Sequence, residues 1–209
     1  MASTGAQTGV FLCGSGRARI TQMDCCNGEG SLVNSFALVS YLPDPLAAFL
    51  DRLRGDLVQE CHARAHVTVL PPRPLEGPPE EAWQELKSSL QDLQPFRVEL
   101  GPIEIFPVTD VLYFSVLAGH VELKVLHQAL NRGRLAFEEP FVYHPHVTLA
   151  QELDRKDVPG AAEVAARRWQ EFPHSRSFVV DGLTFVQNTL ANRWTDLHGI
   201  ALSSGVPSL

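Results

Sequence analysis

AHVTVL at residues 65–70 and HPHVTLA at residues 144–150 carry the same short phrase twice. In each, a histidine is followed by valine, threonine and an aliphatic residue, and the two histidines, His66 and His146, stand 80 residues apart. Such β-branched runs bounded by turn formers read as strands. On a strand, residues two apart share a face. His66 therefore points with Thr68 and His146 with Thr148, while Val67, Val69, Val147 and Leu149 turn to the opposite face. Each strand is expected to be anchored by aliphatics on one side and to present an imidazole beside a hydroxyl on the other.

The surroundings repeat as well. SFALVSYLP, residues 35–43, alternates Phe36, Leu38 and Leu42 against Ala37, Val39 and Tyr41, which predicts a strand with both faces largely covered. Asp44-Pro45 then opens a helix, Asp as cap and Pro in the first turn, which fades near Cys61-His62. The first motif strand is expected to stop at Pro71-Pro72. A helix over 79–93 buries Trp83, Leu86, Leu90 and Leu93, and an extended segment over 96–107 bends at Gly101-Pro102. A strand at 111–118 and a helix at 120–132, with Val121, Leu123, Leu126 and Leu130 inward, lead to the second motif. After it come a helix near 157–170 (Val158, Val164, Ala165, Trp169), a strand at 177–187 and a strand at 193–202. The order is β-α-β-α-β followed by β-α-β-α-β-β. That predicts an α+β fold with two similar lobes, placing the motif strands across a shared cleft. Residues 1–33, rich in Gly, Ser, Thr and Ala, are expected to form a flexible leader, and residues 34–209 a single bilobal domain.

Composition narrows the partners. The chain has 209 residues and a net charge of −7, with no long run of Lys or Arg. That argues against coating long nucleic acid but leaves room for a short nucleotide or an RNA end, whose few phosphates need only local donors. Cys13, Cys25, Cys26 and Cys61 form no C-x-x-C pair, so a zinc site is not expected, and free thiols in a reducing cytoplasm are. No apolar run approaches the roughly 18 residues of a membrane span. A monomer is expected.

Two imidazoles and two hydroxyls lining one pocket suit phosphodiester chemistry without a metal or another cofactor. A neutral imidazole can take a proton from water or a ribose hydroxyl, and a protonated one can give a proton to the leaving oxygen. The hydroxyls of Thr68 and Thr148 can hold non-bridging phosphate oxygens. No carboxylate accompanies either histidine within its motif, and a metal site would ordinarily add some.

HVTV at 66–69 and HVTL at 146–149 resemble the paired H-x-T-x motifs of the two-histidine (2H) phosphoesterase superfamily, in its 2′-5′ RNA ligase-like, RNA 2′,3′-cyclic phosphodiesterase branch. The resemblance covers about residues 35–203. It implies a bilobal fold with a pseudo-twofold axis, a metal-free cleft, and hydrolysis of 2′,3′-cyclic phosphates of RNA ends or nucleotides, commonly to a 2′-phosphate. It equally allows a 2′-5′ oligonucleotide phosphodiesterase or RNA ligase. A nucleotide- or RNA-binding protein with little turnover is the reading from another class. Carried over by residue, His66 and His146 would be catalytic, the first drawn as acid and the second as base, with Thr68 and Thr148 binding substrate. Many members place a basic residue directly after the second motif; Ala150-Gln151 stands there in this chain.

Further substrate contacts are expected from three residues, each with a plainer alternative. Arg73 supplies a cation at the cleft edge or is an exposed loop arginine. Tyr143 stacks on a base or bonds a phosphate, or packs at a strand edge. Tyr41 is the better stacking candidate on the first strand, with Phe36 beside it, although core packing fits both. Trp194 is similarly placed on the last strand. His144 is read as a loop residue. His62, His120, His127, His174 and His198 show no partner pattern, so surface or capping roles are expected.

Overall fold

A computed structural model describes residues 30–58 and 63–203. The expected leader up to residue 29, together with Cys61 and His62, lies outside the described residues. The elements in chain order are β1 (Leu32–Tyr41), α1 (Leu46–Leu57), β2 (His66–Arg73), α2 (Pro79–Ser89), β3 (Phe96–Ile105) and β4 (Leu112–Ala118). They continue with α3 (His120–Leu130), β5 (His146–Ala150), α4 (Val158–Gln170), β6 (Ser177–Val180), β7 (Gly182–Thr189) and β8 (Trp194–Ala201). Antiparallel pairing gives two four-stranded sheets, ordered β2-β1-β7-β8 and β5-β4-β3-β6. The expected α+β, two-lobed architecture is present, with each motif strand on the edge of its own sheet.

The alternation in β1 sorts its side chains as the sequence predicts. Phe36, Leu38 and Leu42 enter the main core, and Ala37 and Val39 join Val186 in a small second cluster against which Tyr41 and Trp194 pack. Phe36 is thus a core residue stacked on Phe185, with no place at the cleft. The strand starts at Leu32, so the boundary expected after residue 33 falls inside it. The N-cap of α1 is Pro45, one residue later than expected, and Asp44 just before it still accepts the Ala48 N–H through its carboxylate at 3.0 Å.

Several boundaries move for identifiable reasons. β2 runs through Pro71-Pro72 to Arg73, because an edge strand can spare the N–H groups that proline lacks. β3 stays continuous across Gly101-Pro102, the expected bend appearing as a register shift between Leu100 and Ile103. α2 ends at Ser89 and α3 at Leu130. In α3, Val121 is 55% exposed, and the inward place is taken by His127, contrary to the surface role expected of it. Val164 likewise faces outward on α4.

The largest correction concerns residues 177–187. The single expected strand is cut at Asp181: β6 pairs with β3 and β7 with β1. The inward residues are Phe178 and Val180, then Leu183 and Phe185, so the period of two slips by one residue at the cut. The two chain halves therefore exchange strands. β3 leaves the first half for the second sheet, and β7 and β8 return to the first.

One buried core runs under both lobes, joining residues of β1, β2 and β7 to residues of β3, β4 and β5. The helices also cross over: α3 packs against β2, and α1 against β5. Gly119 sits at the turn from β4 into α3 with φ of +86°, where an added Cβ would lie 2.6 Å from the Arg97 carbonyl oxygen. Gly119→Ala should therefore cost about 2 kcal/mol, read as a lower denaturation midpoint in urea, whereas an unchanged midpoint would contradict this account of the turn.

Candidate active site

The motif strands β2 and β5 lie next to each other at the junction of the sheets. Val67, Val69, Val147 and Leu149 are all essentially buried, while His66, Thr68, His146 and Thr148 are half-buried on the other face. Burial of each aliphatic stabilises its strand by about 1.5–3 kcal/mol and so fixes which way the histidines point. Register sets the neighbours. Tyr41 lies opposite His66 and Val39 opposite Thr68; Ser115 lies opposite His146 and Tyr113 opposite Thr148.

The two imidazoles are held in the same manner. His66 Nδ1 is 2.7 Å from the Arg64 carbonyl oxygen, and His146 Nδ1 is 2.7 Å from the His144 carbonyl oxygen. A carbonyl only accepts, so each Nδ1 carries the hydrogen and donates it, which leaves each Nε2 as the atom that exchanges protons. Burial pulls the His66 pKa down from 6.5 to about 4, opposed by the bond to the Arg64 carbonyl and aided by the charges of Arg54, His146 and Arg64. Burial lowers His146 as well, opposed by its bond to the His144 carbonyl and aided by the charge of His144.

A tyrosine paired with a carboxylate stands beside each histidine. The Tyr41 ring meets His66 edge-on at 6.5 Å, and its hydroxyl donates to Asp196 on β8. Arg64 lies over the Tyr41 ring at 3.6 Å and binds the other Asp196 oxygen at 3.1 Å. On the second side, Tyr113 donates to Glu104 at 2.9 Å and stacks on Phe106 at 3.9 Å. The His146 ring meets Phe106 at 5.0 Å and Tyr113 at 5.5 Å, both nearly perpendicular, with His144 against the same two rings. Burial, then the carboxylate partner, raises both phenols, Tyr113 to about 12, so both stay protonated donors.

Arg73 and Tyr143 are found elsewhere than the cleft surface. Arg73 is 1% exposed. Its guanidinium binds Glu139 at 2.6 Å, the Leu135 carbonyl at 2.7 Å and Asn131 at 2.8 Å. It is a buried ion-pair partner, so its expected role as a free cation at the cleft edge is corrected. The Tyr143 hydroxyl donates to the Thr68 carbonyl at 2.7 Å, and its ring stacks face to face on His127 at 4.0 Å. Both polar functions expected of it are spent on holding the lobes together. His127 Nδ1 donates to the Val69 carbonyl at 2.9 Å, and its other nitrogen faces Glu139 at 3.5 Å.

Asp196, Glu104 and Phe106 were not legible as site residues, because their placement depends on the strand exchange and on β8 reaching Tyr41; Arg64 stands two residues before His66, but its partner Asp196 is 132 residues away. Tyr113, in VLYFSVLA, carried one signal: it lies on the strand that a two-lobed fold pairs with the second motif. Among the described residues, no three His, Cys, Asp or Glu side chains are grouped so as to hold a metal ion. No helix among them is long and apolar enough to cross a membrane.

Two sheets that bring a histidine and a threonine from each lobe to one junction define a phosphoesterase-like fold. A family model described as the 2′-5′ RNA ligase superfamily matches residues 42–192, a span holding both motifs, and the chain belongs to that superfamily. A provisionally named phosphoesterase of Bacillus cytotoxicus is 29% identical over 121 residues, covering 54% of this chain and 69% of its own. One from Oceanobacillus iheyensis is 30% identical over 78 residues, covering 37% of this chain and 45% of its own, so the match spans less than half of that relative. The fold is shared with E. coli LigT complexed with ATP, at a TM-score of 0.58 and 18% identity, covering 83% of this chain and all of the other.

The polar lock behind the motifs makes a direct prediction. Glu139→Gln leaves the buried Arg73 guanidinium without its counter-charge and should cost about 3 kcal/mol in equilibrium unfolding. A loss below about 0.5 kcal/mol, the level of an exposed pair, would show that the lock does not hold the lobes.

Proposed function

We propose that the chain is a metal-independent phosphodiesterase that opens 2′,3′-cyclic phosphates of RNA ends or small nucleotides. The observation that supports this reading is the matched pair of Nδ1–H···O=C bonds on two neighbouring strands, one from each lobe, which leaves each Nε2 as the atom that exchanges protons. One Nε2 accepts a proton from water as the water oxygen bonds to phosphorus. The bond from phosphorus to the ribose 3′ oxygen breaks, and that oxygen takes a proton from the other imidazolium, leaving a 2′-phosphate and a 3′-hydroxyl. Thr68 and Thr148 hold the non-bridging oxygens, and among the described residues neither hydroxyl is engaged elsewhere. Arg64, 61% exposed along its side chain, brings the positive charge that Ala150-Gln151 does not supply. The shared fold with LigT, which was crystallised with ATP, agrees with a nucleotide-sized ligand. The membership in the 2′-5′ RNA ligase superfamily also favours a second chemistry on the same residues, attack on a 2′-5′ linkage.

Mass spectrometry of products from a 2′,3′-cyclic mononucleotide and a 2′-5′ dinucleotide separates the two. The cyclic substrate should give a single 2′-phosphate, with activity retained in chelator. His66→Ala and His146→Ala should each lower the rate by about 10²–10⁴, and full activity in either variant defeats the assignment.

The pH profile is a second check. Both imidazoles titrate below 6.5 in the free protein, so kcat/KM should peak on the acid side of that value. A bound phosphate favours imidazolium and raises both, so kcat should peak at a higher pH than kcat/KM. Coincident profiles would count against two imidazoles facing one phosphate.

A further inference from the structure

The second sheet carries a row of side chains that the chemistry above uses only at its inner end. Register places Thr148 on β5 opposite Tyr113 on β4, and Tyr113 opposite Glu104 on β3. Residues directly opposite one another in antiparallel strands share a face, so the three side chains stand in line, running outward from the motif strand. Two strand spacings separate Thr148 from Glu104, about 10 Å. That is the scale of a nucleoside, taken from the phosphorus on its ribose to the outer edge of its base. Ring surface lies along the way. Phe106 stacks on Tyr113 at 3.9 Å and meets the His146 ring at 5.0 Å. Tyr113 is 4% exposed, but Phe106 is only half-buried, and His144, edge-on to both rings, is exposed. A flat base can stack there, directly beside the imidazole.

The carboxylates of the two flanks are used differently. Asp196, on the first side, is engaged by both the Arg64 guanidinium and the Tyr41 hydroxyl. Glu104, on the second, is exposed, and its Oε2 accepts the Tyr113 hydroxyl at 2.9 Å. An ionised carboxylate has about four acceptor sites, so the phenol holds it in place and leaves it able to accept more bonds. A nucleotide has two unlike ends. The flank with the exposed cation suits the phosphate, and the flank with open rings and an acceptor suits the base.

Resting on the phosphodiesterase reading above, we propose that Glu104 reads the base of the reacting nucleotide and selects guanine. A carboxylate only accepts, so it recognises N–H groups. Guanine is the one base of the four that sets two of them side by side on its pairing edge, N1–H and N2–H, matching the two oxygens of a carboxylate with charge-assisted bonds. Adenine and cytosine offer a single amino group beside a bare ring nitrogen, whose lone pair would face the carboxylate. Uracil offers N3–H between two carbonyl oxygens, which the carboxylate repels. The rings of Phe106 and Tyr113 hold any base, and Glu104 supplies the discrimination. The substrate class is then a 2′,3′-cyclic phosphate on guanosine, free or at the end of an RNA strand.

The test is calorimetric titration of the full chain with the 2′-monophosphates of guanosine, adenosine, cytidine and uridine, the product form of the proposed reaction. The guanosine compound should bind most tightly, at least about tenfold more tightly than the uridine one, the scale of one bidentate base contact. Glu104→Gln keeps an oxygen for the Tyr113 hydroxyl but sets a donor against guanine, and it should lower the guanosine-to-uridine ratio about tenfold. A smaller preference in the wild type, another base in first place, an unchanged ratio in Glu104→Gln, or no binding by any of the four overturns the inference. Turnover of the four 2′,3′-cyclic nucleotides keeps the two readings apart. Equal rates on all four would leave the phosphodiesterase reading standing and end this one. No turnover of any would end that reading, and the order of binding would still judge Glu104.

Discussion

The outer edge of β2 is the constraint on which the rest depends. An edge strand leaves main-chain carbonyls that must find partners when they are covered. Here the other lobe supplies them: the Tyr143 hydroxyl meets the Thr68 carbonyl and His127 meets the Val69 carbonyl. Arg73, at the end of the same strand, is tied through Glu139 and Asn131 to the loop before β5. These bonds are directional, so they fix how the strands meet, whereas the shared aliphatic core beneath them supplies most of the attraction without specifying an angle. The histidine of each motif is thereby aimed by packing on one face and by polar contacts along the edge.

The site is symmetric in geometry and asymmetric in charge. Each imidazole is tethered by Nδ1 to the carbonyl two residues before it, and each has a tyrosine-carboxylate pair at its flank. Chemistry at phosphorus needs the opposite of symmetry, one ring holding a proton and one lacking it. The duplicated architecture provides two matching rings and sets them in unlike surroundings. The first lobe places cations around His66, Arg54 and Arg64 among them; the second surrounds His146 with the rings of Phe106 and Tyr113.

Most of the fold was legible because its signals are local. The alternation in 35–43, the leucine spacing of α1 and the repeated H-x-T-x each depend on residues a few positions apart. The strand exchange at Asp181 was legible only in part. The slip from Val180 to Leu183 marks a break, but nothing near it says that the two pieces join different sheets. Arg73 and Tyr143 were singled out as polar groups near the motif, and each lies near it; their partners, Glu139 and the Thr68 carbonyl, are 66 and 75 residues away. Contacts at that separation are set by how the lobes dock, which local pattern cannot report. Val121 and His127 on α3 show the same limit: helical spacing gives the apolar stripe, but the polar edge of β2 turns His127 inward.

The central claim is that two imidazoles from separate lobes face one phosphorus atom. Titration of the full chain with inorganic phosphate near pH 6, followed on the imidazole nitrogen resonances of His66 and His146, tests it most directly. The account predicts that both rings respond along a single saturation curve at one phosphate per chain, each becoming more protonated. A response confined to one ring, or two curves with different midpoints, would contradict it.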